Sequence, residues 1–250
     1  MTEEELDLLL AQDPTIPHHE WGIKGAKSKQ QLLSAIQKRE CTLAFERVGV
    51  PSPSGSGVVR ETRVLLLSVY IDIGKNERYM IVEIMHRLAN GHVFTRAHEM
   101  NVSLTETGIA GESDEEMVVR ALAQELQITG LTARALKSLH FFDDSFRVGD
   151  NREATKLRPS KSYLGTWTRQ RTLRASITLS ARRYRPEGYI ERVYDDNGVL
   201  EKEVFFAAMS GADAVHFRQL VRQMRSMVDE EQFAELLVTR VYRFLARDKE

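Results

Sequence analysis

The chain has 250 residues, 42% of them hydrophobic and 28% charged, which suits one large or two small cores and excludes a disordered or fibrous protein. Its 35 Lys and Arg against 36 Asp and Glu leave a net charge of −1, so a role in coating polyanions wholesale is excluded. A single cysteine, Cys41, can form neither an internal disulfide nor a multi-cysteine zinc site; it reads as a small buried apolar residue in a reducing compartment.

The first five residues, Met1-Thr2-Glu3-Glu4-Glu5, are acidic, and the apolar run Leu8-Leu9-Leu10 is too short for a signal segment or a membrane span. A cytoplasmic or nuclear protein with no membrane association is expected. Pro14 and Pro17 end an opening helix, and Ser28 begins a second one whose Leu32, Leu33 and Ile36 share a face. Residues 41–50 read as a strand. Residues 51–57, Pro-Ser-Pro-Ser-Gly-Ser-Gly, hold only turn-forming types and read as a loop or linker that joins two strands or two domains. Residues 1–57 are therefore expected to form an N-terminal arm and linker rather than a core.

Beyond residue 58 the pattern turns to strands, at 63–73, 78–87 and 91–102, rich in Val, Leu and Ile. A helix over 115–128 follows. Val118, Leu122, Glu125 and Leu126 recur at three- and four-residue spacing, with Ser113 as N-cap and Glu116 completing a capping box. Strands are predicted again at 136–142 and 172–180, and then a hairpin of 189–194 with 199–206 around Asp196-Asn197-Gly198. Asn-Gly there predicts a type I′ turn. Residues 211–250 read as a helical pair: Phe217, Leu220, Val221, Met224 and Val228 line one member, and Phe233, Leu236, Leu237, Val241, Phe244 and Leu245 the other, with Asp229 as a cap. Such a stripe is core or partner interface.

The stretch Gly111-Glu112-Ser113-Asp114-Glu115-Glu116-Met117-Val118-Val119-Arg120-Ala121-Leu122-Ala123-Gln124-Glu125-Leu126-Gln127-Ile128 resembles the signature of Nudix hydrolases, which reads Gly-Glu-Ser-x-Glu-Glu-x-x-x-Arg-Glu-Leu-x-Glu-Glu-x-Gly-Ile. Gly111, Glu112, Ser113, Glu115, Glu116, Arg120, Leu122, Glu125 and Ile128 fall on matching positions. The resemblance implies an α+β fold, a Nudix-like mixed sheet and helix sandwich over 58–210, flanked by the arm and the C-terminal helical pair. It also implies structural roles for Gly111, Glu112, Arg120, Leu122 and Ile128, with Glu112 and Arg120 as the ion pair tying loop to helix.

Nudix enzymes cleave diphosphates with Mg²⁺ or Mn²⁺ held by glutamates on one helix face, since a hard cation takes carboxylate oxygens. Here Ala121 and Gln124 stand at two of those positions and only Glu125 is kept. Glu112 and Glu116 are the other acids near enough in sequence to join Glu125 as metal ligands. The loop before the helix has Thr105 and Glu106 where the family has paired glycines. The asymmetry favours a domain that has lost metal-dependent hydrolysis, with no cofactor. A divergent Mg²⁺-dependent hydrolase of nucleoside diphosphate derivatives, and a structural subunit of a larger assembly, are the alternatives.

Between Arg147 and Arg185 the chain places eleven Lys and Arg against Asp150 and Glu153, so the near-neutral total hides a basic segment. Cations interleaved with Tyr163, Trp167 and Tyr184 suit a phosphate or single-stranded nucleic-acid surface, with Arg158, Lys161, Arg169, Arg171 and Arg174 as candidate phosphate ligands. The plainer reading is a solvated face paired with acids of the N-terminal stretch. His18, His19, His86, His92, His98 and His140 form no recognisable metal motif. A nucleotide or RNA ligand, or a protein partner at the C-terminal helices, is expected.

Overall fold

The computed structural model describes residues 1–23, 26–48, 56–74, 77–95, 103–142, 157–195 and 197–247. The expected linker residues 51–55, the end of the predicted strand at 96–102, His98, and Arg147, Arg152 and Lys156 of the basic stretch lie outside them, as do the side chains of Phe244 and Leu245. The protein is α+β and divides into two compact units: Met1–Leu65, Glu106–Met117 and Asp143–Leu173 form the first, and Leu66–Thr105, Val118–Phe142 and Arg174–Glu250 the second.

In the first unit, helices α1 (Glu3–Leu10) and α2 (Lys29–Gln37) each start with a complete capping box, Thr2 with Glu5 and Ser28 with Gln31. Strand β1 (Cys41–Arg47) pairs antiparallel with the start of the long strand β2 (Ser56–Gly74), Cys41 opposite Thr62 and Arg47 opposite Ser56, so the Pro- and Ser-rich stretch joins two paired strands. The expected arm is a core. Leu6, Leu10, Ile16, Trp21, Leu32, Leu33, Cys41, Val58 and Tyr163 are buried together. Short apolar repeats at i and i+4 look solvent-facing when nothing nearby in sequence can cover them; here the loop over residues 160–166 supplies the cover. Trp21 Nε1 donates to the Leu164 carbonyl at 2.9 Å, and the Lys27 N–H donates to the Ser162 carbonyl at 2.8 Å.

The second unit contains the rest of β2, then β3 (Glu77–Leu88), β4 (Val93–Phe94), β5 (Leu104–Thr107), most of α3 (Asp114–Leu126), α4 (Ala133–Lys137) and β6 (His140–Phe142). Strand β7 (Leu157–Pro159) and the start of β8 (Trp167–Ser180) fall in the first unit, and the end of β8, β9 (Tyr189–Tyr194), β10 (Leu200–Met209), α5 (Gly211–Met227) and α6 (Glu230–Arg247) in the second. The strand order is β6-β8-β2-β3-β10-β9. Helices α5 and α6 lay Phe217, Val221, Met224, Phe233, Leu237 and Val241 over Val82, Ile84, Met85, Ala207 and Met209. The apolar stripe read from the sequence is thus mainly spent inside the unit, leaving Val215, Met227 and Leu236 as exposed apolar residues of that pair among the described side chains.

Two local expectations are corrected. Residues 136–142 are not one strand: Thr132 caps the short helix α4 with its hydroxyl on the Ala135 N–H, and only His140–Phe142 pairs, with β8. Good helix formers, Ala-Arg-Ala-Leu-Lys, outweigh the strand pattern there. The β9–β10 connection is also not a type I′ turn, since Gly198 takes φ +78° while Asn197 is not among the positive-φ residues. Asp195 closes the loop instead: its carboxylate accepts from the Asn197 and Val199 N–H groups, and its own N–H donates to the Val199 carbonyl.

Candidate functional site

The loop entering α3 is held by two arginines of the first unit. Helix α2 ends in a Schellman-type turn, the Glu40 N–H donating to the Ala35 carbonyl, which puts Arg39 at φ +62°. A side chain in that left-handed region costs on the order of 1 kcal/mol against glycine. What Arg39 gains is a double hold on Ala110: its carbonyl accepts from the Ala110 N–H at 2.8 Å, and its guanidinium donates to the Ala110 carbonyl. Arg63 grips the next residues, Nη1 donating to the Glu112 carbonyl at 2.7 Å and Nη2 to Asp114 Oδ1 at 2.6 Å. A Cβ at Gly108 would be tight, 3.0 Å from Arg63 Cβ, and Gly111 takes φ +89°.

Beside this loop lies a cleft of 260 Å³, lined by Arg39, Glu40, Cys41 and Thr42, by Glu61, Thr62 and Arg63, by Gly108 and Ala110, and by Arg169 and Arg171. All of these belong to the first unit. Arg169 and Arg171 share one side of β8 because alternate strand residues do. Arg169 bridges β1 and β2, with Nη2 2.7 Å from Glu46 Oε2 and Nη1 against Glu61, and hydrogen bonds to both carboxylates raise its affinity for its proton. Arg171 is open to solvent, 59% exposed and 3.6 Å from Asp114 Oδ2. Cys41, 5% exposed, and the residue opposite it, Thr62, are also among the lining residues, and the buried Thr62 Oγ1 has no hydrogen-bond partner among the described residues. Burial pushes the Cys41 thiol up, with Arg60 opposing, so it is a weak nucleophile.

The five arginines and lysines singled out from the sequence are thus not gathered at one place. Arg169 and Arg171 line the cleft. Arg158 is exposed and donates to Gln170 Oε1 at 2.7 Å, Lys161 is exposed, and Arg174 is exposed in the second unit. Arg39 and Arg63 were missed, because both lie outside the basic stretch; the only sequence hint was Arg39 at the end of a helix where glycine is usual.

The acids considered as metal ligands are occupied otherwise. Glu112 Oε2 accepts from the Ile109 N–H at 3.1 Å, and Glu116 Oε2 accepts from the Ser113 N–H at 2.7 Å as half of the capping box. Glu125 is 7% exposed in the second unit. Ala121 is fully buried, and Gln124 Oε1 accepts from Arg120 Nη1 at 2.9 Å. Among the described residues no group of three or more His, Cys, Asp or Glu is placed to hold a metal ion. His86, 2% exposed, stacks on Phe94 with its Nε2 2.7 Å from Glu83 Oε1, both in the second unit. No helix of the described residues is long and apolar enough to cross a membrane.

Compared with known proteins, the sequence matches no family model and no curated protein. Among solved structures it is similar to DR0079 from Deinococcus radiodurans, at 13% identity and a TM-score of 0.23, over 63% of this chain and 82% of that one. A likeness at that score carries no argument.

Proposed function

We propose that the chain carries a Nudix-like domain that binds an anionic ligand, a nucleotide or RNA phosphate group, and that the ligand sits in the arginine-lined cleft beside the loop entering α3. One observation carries this reading: Arg39, Arg63, Arg169 and Arg171, from three separate segments, line a single concavity. Guanidinium forks are suited to phosphate oxygens, and a concave site bounded by low-dielectric walls strengthens them. The Nudix-like part of the reading is supported by Gln127, which stands at the signature's glycine and takes φ +54°, the conformation a glycine there would serve. Loss of hydrolysis is supported by Ala121, buried, and by Gln124, bonded to Arg120.

The test is a calorimetric titration of the protein with a nucleoside diphosphate and with a short single-stranded RNA, in EDTA. Binding that weakens with salt and falls about five- to tenfold in Arg171→Ala is the expected result, the loss of one charge-assisted contact being worth roughly 1–1.5 kcal/mol. Turnover of nucleoside diphosphate derivatives with Mg²⁺ or Mn²⁺ that Glu125→Gln abolishes would instead establish the divergent hydrolase.

A further inference from the structure

The arginines of the cleft are not equally available. Resting on the reading of this cleft as an anion site, we infer that Arg171 is the guanidinium that closes on the ligand's phosphate, and that Asp114 is its built-in competitor. The carboxylate holds Arg171 in the free protein and gives it up when the phosphate arrives. Arg39, Arg63, Asp114, Arg169 and Arg171 all belong to the first unit. Three of the four guanidiniums are committed to the fold. Arg169 lies between Glu46 and Glu61, Arg39 donates to the Ala110 carbonyl, and Arg63 donates to the Glu112 carbonyl and to Asp114. Moving any of them breaks a hydrogen bond that ties β1 to β2 or shapes the loop entering α3.

Arg171 is held more loosely. Its side chain is 59% exposed, and its Nη2 stands 3.6 Å from Asp114 Oδ2, an ion pair beyond hydrogen-bond reach. The shared carboxylate is asymmetric: Asp114 Oδ1 lies 2.6 Å from Arg63 Nη2, and Arg63 Nη1 is anchored on the Glu112 carbonyl at 2.7 Å. Asp114 therefore stays with Arg63, and Arg171 is the member that moves. While Asp114 faces it, a phosphate at Arg171 meets an occupied cation and a like charge together. Exposed ion pairs are weak, however, and a phosphate offers the guanidinium fork two charge-assisted hydrogen bonds, so the exchange runs toward the ligand. Nucleotide and RNA phosphates both supply that group, so Asp114 sets the affinity of the cleft without choosing between them. The start of α3 is no rival seat, because the Ser113 and Glu116 N–H groups are taken by the capping box.

Calorimetry of the full chain in EDTA against adenosine diphosphate tests this in the wild type, Asp114→Asn, Arg171→Ala and the double variant. Asp114→Asn should tighten binding about three- to fivefold, the worth of one exposed ion pair. In the Arg171→Ala background the same change should give less than about a twofold gain, because the competitor has lost what it competes for. Asp114→Glu keeps both the charge and a partner for Arg63, and should bind no tighter than the wild type; melting curves verify that each variant is folded. An equal gain with and without Arg171, no gain in Asp114→Asn, or tighter binding by Asp114→Glu overturns the competition and leaves the anion site standing. Absence of binding by the wild type and every variant overturns both.

Discussion

Tyr163 is fully buried, its ring 5.4 Å from that of Trp21 and the Arg60 guanidinium 5.1 Å above it, and its hydroxyl finds no hydrogen-bond partner among the described residues. Burial pushes its ionisation up to about 12, against the nearby Arg60 charge. The folded pKa lies above the unfolded value near 10, so the stabilisation is fully present below about pH 10 and is lost as pH rises through about 12. Tyr163→Phe should leave neutral-pH stability unchanged or raise it by up to about 1 kcal/mol, since it deletes an unmet polar group. It should also flatten part of the alkaline fall in melting temperature between pH 10 and 12; Tyr189, likewise pushed up to about 12, keeps the remainder. A neighbour gives the converse case. At Gly165, with φ +80°, an added Cβ would stand 2.6 Å from Pro17 Cδ and 2.9 Å from the Ile16 backbone. Gly165→Ala should cost about 2 kcal/mol or more in urea denaturation, from strain and overpacking together.

At the scale of elements, α3 shows how one residue pattern can serve two readings. Glu116 is a metal candidate by composition and a cap by geometry, its carboxylate on the Ser113 N–H and the Ser113 hydroxyl on the Glu116 N–H. Glutamine also closes such a box. Glu116→Gln should therefore change unfolding free energy by less than about 0.5 kcal/mol, whereas Ser113→Ala should cost about 1 kcal/mol. A larger loss in Glu116→Gln would show that the charge itself matters. Strand β8 shows the same ambiguity resolved by pairing: Arg169 answers Glu46 and Glu61, so one acid of the N-terminal stretch, Glu46, does meet the basic segment, while Arg171 is left 59% exposed at the cleft.

For the whole molecule, each unit has its own apolar core, and each core is closed by helices from one end of the chain: α1 and α2 over β1 and β2, α5 and α6 over β3 and β10. Deleting residues 211–247 would uncover Val82, Ile84, Met85, Ala207 and Met209, which are at most 2% exposed in the intact fold. The truncated chain should bind a hydrophobic dye and elute as aggregate in size-exclusion chromatography; a monodisperse, dye-negative product would show that the helices are an appendage. Loss of a partner on that truncation is consequently no proof of docking.

The helices other than α4 were legible because their signals are local: Thr2, Ser28, Ser113 and Ser210 each cap a turn a few residues away, and apolar spacing of three and four gives the buried face. Most strands and the segregation of basic charge were legible for the same reason. Two things were not: the fate of residues 1–57, and the cleft. Whether Leu6 and Trp21 face water or a core depends on a loop more than a hundred residues away, and whether four arginines meet depends on which strands pair and in what register. Cys41 lies opposite Thr62, and Arg169 beside Glu46, only because hydrogen-bonded strands bring distant residues together. Spacing along the chain fixes the side chains' period within an element, but the pairing between elements is a long-range choice made by the burial of all of them at once.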